Sequence, residues 1–167
     1  MSDKPARQTL KGLPRRVIRR FFVVPNEDEV LYEVNHGLRI LQKKDSLLFG
    51  TDALLLAAYM KKCRGIAYEF GGGSGIISLL AAQRGKFSKI KIFEVQKELS
   101  DISERNVKLC GFEDKISVYE TDVRNVGSMF CEEYADVVFS NPPYMRADSG
   151  FSNISREMNT ARREQNG

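Results

Sequence analysis

The chain has 167 residues, 42% of them apolar, and a formal net charge of +4, enough for one domain with a sizeable core. It has no apolar run long enough to span a bilayer and no apolar stretch of the secretory type at its N-terminus, so a cytoplasmic protein with no membrane contact is expected. Cys63, Cys110 and Cys131 are far apart and odd in number, which argues against a zinc site or a disulfide framework. The lone histidine, His36, leaves little for nucleophilic triads.

In chain order, residues 1–25 come first, a basic arm holding Lys4, Arg7, Lys11, Arg15, Arg16, Arg19 and Arg20 against Asp3. Such a segment suits contact with nucleic-acid phosphates; the competing reading is a solvated terminal charge cluster. Residues 26–46 read as an antiparallel β-hairpin, Val30 to Val34 and Leu38 to Leu41 flanking the turn Asn35-His36-Gly37. The main domain, residues 47–167, opens with Thr51 and Asp52 as a predicted N-cap. A helical spacing of Leu54, Leu55, Ala58 and Tyr59 follows and ends near Lys61 and Lys62.

Strand and helix then alternate. Ile66 to Phe70 is a predicted strand, Gly75 to Gln83 a helix stopped by Gly85, and Ile90 to Phe93 a strand. Lys97 to Leu109 is a helix with Leu99, Ile102 and Leu109 on its inner face and Gly111 at its exit. Ile116 to Tyr119 and Ala135 to Phe139 are further strands, with a short helix between them around Val126 to Glu133. The fold class is therefore α/β, a doubly wound and mostly parallel sheet preceded by a hairpin. If the fourth strand returns to pair with the first, the strand order reverses between them, and ligands bind where the two outgoing loops part.

Those loops carry the informative residues. Gly71, Gly73 and Gly75 allow a sharp bend and a close backbone approach to a ligand, ahead of a helix N-terminus with unpaired amides. A dinucleotide fingerprint fails on its sixth position, which is Ile76 when counted from Gly71 and Ser78 when counted from Gly73. Glu94 ends the second core strand at the spacing where an acid meets a ribose, with Val95 beside it; a surface ion pair is the competing role. Asp122, followed by Val123, either accepts from an adenine amino group or caps a turn. Asn141-Pro142-Pro143-Tyr144 sets an amide, two rigid residues and an aromatic face at a strand end, a grip for a planar amino group.

This succession, from Glu69-Phe70-Gly71-Gly72-Gly73-Ser74-Gly75 through Glu94 and Asp122 to Asn141-Pro142-Pro143-Tyr144, resembles the class I S-adenosylmethionine methyltransferases of the amino-methylating type. The front hairpin, Phe49-Gly50-Thr51-Asp52-Ala53-Leu54-Leu55-Leu56-Ala57, Gly73 to Leu80 and Ala161-Arg162-Arg163-Glu164 make it most similar to the bacterial tRNA1(Val) (adenine-N6)-methyltransferases. The resemblance implies a Rossmann-like fold and S-adenosylmethionine as cofactor. It also implies Glu69 and the glycines at the methionine moiety, Glu94 at the ribose and Asp122 at the adenine, with Asp52 and its neighbours closing the site. Catalysis would rest with Asn141, Pro142, Pro143 and Tyr144, with tRNA as the partner. The same tetrapeptide is similar to that of enzymes methylating release-factor glutamine, or adenine in DNA or ribosomal RNA. No further strand pattern follows the fourth core strand, so a piece of a longer enzyme, self-association through the sheet edge, or a binding module without turnover is also expected.

Overall fold

The computed structural model describes residues 23–35, 37–44, 49–130 and 134–142, with backbone alone at 145–146 and 163–164. The arm up to residue 22, His36, Cys131, Pro143, Tyr144 and Ala161-Arg162 lie outside the described residues.

The front hairpin pairs β1 (Glu29–Asn35) with β2 (Leu38–Lys43) antiparallel, and Gly37 at φ +87° makes its turn. Its alternation sends Leu38 and Ile40 into the main core, so the hairpin shares that core with the sheet. Helix α1 (Thr51–Tyr59) follows. Its N-cap is Gly50, in extended backbone with no side-chain cap, in place of the expected Thr51 and Asp52. The Asp52 carboxylate is engaged elsewhere, as described below.

The sheet is built from β3 (Ile66–Phe70), β4 (Lys89–Glu94), β5 (Ile116–Glu120) and β6 (Val137–Ser140), all parallel in the order β5-β4-β3-β6. The expected reversal is therefore present: β4 and β5 build outward on one side of β3, and β6 returns to its other side. Between them run α2 (Ile76–Gln83), α3 (Lys97–Cys110) and a 3-10 turn (Val123–Asn125) leading into the short α4 (Val126–Met129). Gly111, at φ +70°, ends α3 where the sequence placed its exit.

Residue alternation gives the sheet two distinct faces. Ala67, Ile90, Ile92 and Phe139 join Ala53 and Ala57 of α1, Leu79 and Leu80 of α2, and Val107 and Cys110 of α3 in one core. The opposite face is aromatic: Tyr68 and Phe93 meet at 5.1 Å between ring centroids, as do Tyr119 and Phe130, and Lys91 Nζ sits 3.8 Å from the Phe130 centroid. Beyond β6, the sequence shows no strand pattern, yet β7 (Met145–Arg146) and β8 (Arg163–Glu164) pair in parallel. Two-residue strands are too short to show an alternation. No helix among the described residues is long and apolar enough to cross a membrane.

Candidate active site

Two bends leave the same end of the sheet from adjacent strands. In register, Phe70, the last residue of β3, lies between Phe93 of β4 and Ser140 of β6. Ser140 Oγ donates to the Phe70 carbonyl at 2.8 Å, fixing the exit of β6 beside the glycine-rich bend although the two residues are 70 apart in sequence.

The glycine-rich bend requires its glycines. Gly71, Gly73 and Gly75 have φ of +67°, +57° and +80°, the left-handed region that side chains strain to occupy. A Cβ on Gly71 or Gly73 would meet nothing within 4 Å, so both look into open space, whereas one on Gly75 would press on Ser103 Oγ. Gly72 has a different constraint: a Cβ there would overlap Ile92. The amides of Gly71 and Gly72 both donate to the Phe93 carbonyl, at 2.9 and 3.3 Å.

Beneath the bend lies Glu69, only 1% exposed, with Ser78 of α2 donating its hydroxyl to Oε2. Burial pushes the Glu69 carboxyl up to about 8 against the opposing effect of the Ser78 hydrogen bonds, so at neutral pH it is protonated. The Glu94 carboxylate accepts the Gly73 amide at 2.8 Å and the Gln96 amide at 2.9 Å, one on each oxygen. Each oxygen keeps a second lone pair. Val95, next in sequence, is 58% exposed, and Val123, opening the 3-10 turn after the neighbouring strand, is 47% exposed. Asp122 caps the 3-10 turn, Oδ1 accepting the Arg124 amide at 2.9 Å while the Arg124 guanidinium reaches both oxygens. Those Arg124 bonds hold its carboxyl down at about 2. The capping alternative is thus realised, and one Oδ2 lone pair remains beside it.

On the acceptor side, Asn141 is half-buried, and its Nδ2 donates to Asp52 Oδ2 of α1 at 2.5 Å. Asp52 lies inside the first turn of α1, past the N-cap position, and its carboxylate meets a residue 89 positions away. Pro142 follows, exposed.

Sequence reasoning missed a further side chain. Asn106 of α3, fully buried, accepts the Leu41 amide at 2.6 Å on Oδ1 and donates from Nδ2 to the Leu41 and Ser74 carbonyls at 3.0 and 2.9 Å. It joins β2 to the glycine-rich bend. The available signal was a polar residue on the inward stripe of α3, four positions after Ile102.

A parallel sheet with a reversed strand order, a glycine bend over a buried acid and an Asn-Pro loop beside it define a Rossmann-like methyltransferase fold. The methyltransferase small domain family matches residues 43–165, and the chain belongs to that family.

Among curated proteins, the chain is 32% identical over 110 residues to the tRNA1(Val) (adenine(37)-N6)-methyltransferase of Photorhabdus laumondii, an alignment covering 65% of this chain and 45% of the relative. The enzyme of the same name from Histophilus somni is 29% identical over 74% of this chain and 52% of its own length. The chain spans about half the length of these relatives. A SAM dependent methyltransferase from Agrobacterium tumefaciens superposes with a TM-score of 0.56 at 16% identity, over 72% of this chain and 42% of that one. aTrm5 in complex with tRNALeu does so at 0.57 and 20%, over 71% and 34%. At such identities the structural likeness concerns the fold.

Proposed function

We propose that this chain binds S-adenosylmethionine and transfers its methyl group to the exocyclic N6 of an RNA adenine, with adenine 37 of tRNA(Val) as the target. The observation that carries this reading is the placement of Asn141 beside the glycine-rich bend, on adjacent parallel strands at one end of the sheet. The names of the curated relatives point to the same substrate.

The cradle suits such a cofactor. Open space over Gly71 and Gly73 admits the methionine moiety above Glu69, Glu94 has lone pairs for ribose hydroxyls, and Val95 and Val123 offer exposed apolar surface to the adenine ring. Asp122 can share Oδ2 with the adenine amino group. The bound group supplies an electrophilic methyl on a sulfonium centre. Asn141 Oδ1 and the Pro142 carbonyl accept the two hydrogens of the target amine, which aims its lone pair at the donor. Pro143 stiffens that loop, and Tyr144 gives the base a face to stack on. A base in an anticodon loop is already unpaired and reaches such a pocket at little cost.

The test is methyl incorporation by the full-length protein into tRNA(Val) transcripts carrying adenine or guanine at position 37, with digestion to identify N6-methyladenosine. Asn141→Ala should lower transfer by about a hundredfold or more. Unchanged transfer in that variant, or a product on glutamine or DNA instead, would overturn the assignment. Self-association through the outer edge of β6 is a separate proposal, read by light scattering at rising protein concentration.

A further inference from the structure

Asn141 presents an amide whose two ends do opposite things: Nδ2 donates and Oδ1 accepts. The proposed grip works only if Oδ1 faces the target amine. A half-turn of the side-chain amide would set its NH2 against the substrate NH2, donor against donor, and the site would repel what it should hold.

We infer that Asp52 is the positioning residue that fixes this choice for Asn141; the inference rests on the acceptor role proposed above. Asp52 Oδ2 takes a hydrogen from Asn141 Nδ2 at 2.5 Å, and an ionised carboxylate has no hydrogen to offer in return. The flipped amide would place Oδ1 against a negative oxygen, so one orientation is selected. Accepting from Nδ2 also polarises the amide and strengthens Oδ1 as an acceptor.

The placement is specified by local structure on both sides. Asp52 stands in the first turn of α1, anchored by Ala53 and Ala57 in the main core. Gly50 leaves room for it, since a Cβ there would overlap Asp52 Oδ1. Ser140, adjacent to Asn141, is tied to Phe70. The carboxylate and the amide are therefore held by two separate anchors and brought together between them. Asp52 touches neither donor nor acceptor in this scheme; it acts through Asn141.

The experiment is a double-mutant cycle in the full-length protein with Asp52→Ala, Asn141→Ala and both together. It reads single-turnover methyl transfer to the tRNA transcript and, separately, cofactor affinity by calorimetry. Asp52→Ala should slow transfer by about tenfold or more while cofactor affinity stays within about twofold, and it should add little once Asn141 is already alanine. Asp52→Asn, whose own oxygen can accept from Nδ2, should recover part of the rate. A structural readout runs alongside: the Asn141 side-chain NH2 resonances, assigned by their loss in Asn141→Ala, should shift in Asp52→Ala.

If Asn141→Ala slows transfer but Asp52→Ala does not, or if the two effects multiply independently, the positioning role is overturned and the acceptor grip stands. If Asp52→Ala weakens cofactor binding with the transfer step unchanged, Asp52 belongs to the donor side and the inference fails. If Asn141→Ala is itself silent, both readings fall.

Discussion

Glu69 and Gly72 show how much of the glycine-rich bend is set by single buried positions. Burial holds Glu69 up at about 8, above its ordinary 4.5, so between those values the unfolded chain gives up a proton that the folded chain keeps. Within that window stability falls as pH rises, by up to about 1.4 kcal/mol per pH unit; below 4.5 and above 8 this group contributes no slope. Glu69→Gln, which mimics the neutral form, should flatten the dependence, as read from denaturant midpoints between pH 5 and pH 8. At Gly72, the overlap an added Cβ would make with Ile92 predicts a loss of about 1–3 kcal/mol for Gly72→Ala. Gly73→Ala, facing open space at φ +57°, should cost roughly 1–2 kcal/mol of backbone strain and reduce cofactor affinity as well.

Among the elements, the hairpin depends on α3 through a few polar contacts. Arg105 pairs with Glu29 of β1 and donates to the Val24 carbonyl, while the Cys110 thiol donates to the Arg39 carbonyl at 3.2 Å. Asn106 bonds both backbone groups of Leu41. Removing it strands the Leu41 amide and carbonyl in a buried setting, where each unpaired group costs about 1–3 kcal/mol, and also frees the part-buried Ser74 carbonyl. Asn106→Leu should therefore raise hydrogen exchange in β2 and at the glycine-rich bend together, while amides in β5 stay protected. Exchange confined to β2 would show that the bend does not lean on this side chain.

The strands and helices of the sheet were legible in the sequence because apolar runs and helical periodicity mark them directly. The return of β6 to β3 entered only as a condition, which the strand order meets. The Asp52–Asn141 bond was not legible: Thr-Asp ahead of a helix carries a local capping signal, and only tertiary proximity reveals the competing amide. Asn106 was hidden for the same reason, since a helical asparagine carries no mark of whom it bonds. That Asp122 caps its own turn could not be read until the Arg124 contacts were visible.

For the whole molecule, charge is the property that bears on the proposed RNA substrate. Much of the basic excess lies in residues 1–22, including Arg15, Arg16, Arg19 and Arg20. If that arm neutralises RNA phosphates, deleting it should reduce the slope of log affinity against log salt by about 0.7 per lost contact, measured on the same transcript. Cofactor affinity should be unchanged by the deletion. An unaltered salt slope would place the phosphate contacts elsewhere on the chain.

The long return from β3 to β6 has a consequence for synthesis. A ribosome delivers Gly71 to Gly75 and Glu94 well before it delivers Asn141, because the partner strand of β3 on that side begins only at Val137. A nascent chain thus passes through a stage that has the glycine-rich bend and Glu94 but not yet Asn141, and the two bends can stand side by side only once β6 has been delivered.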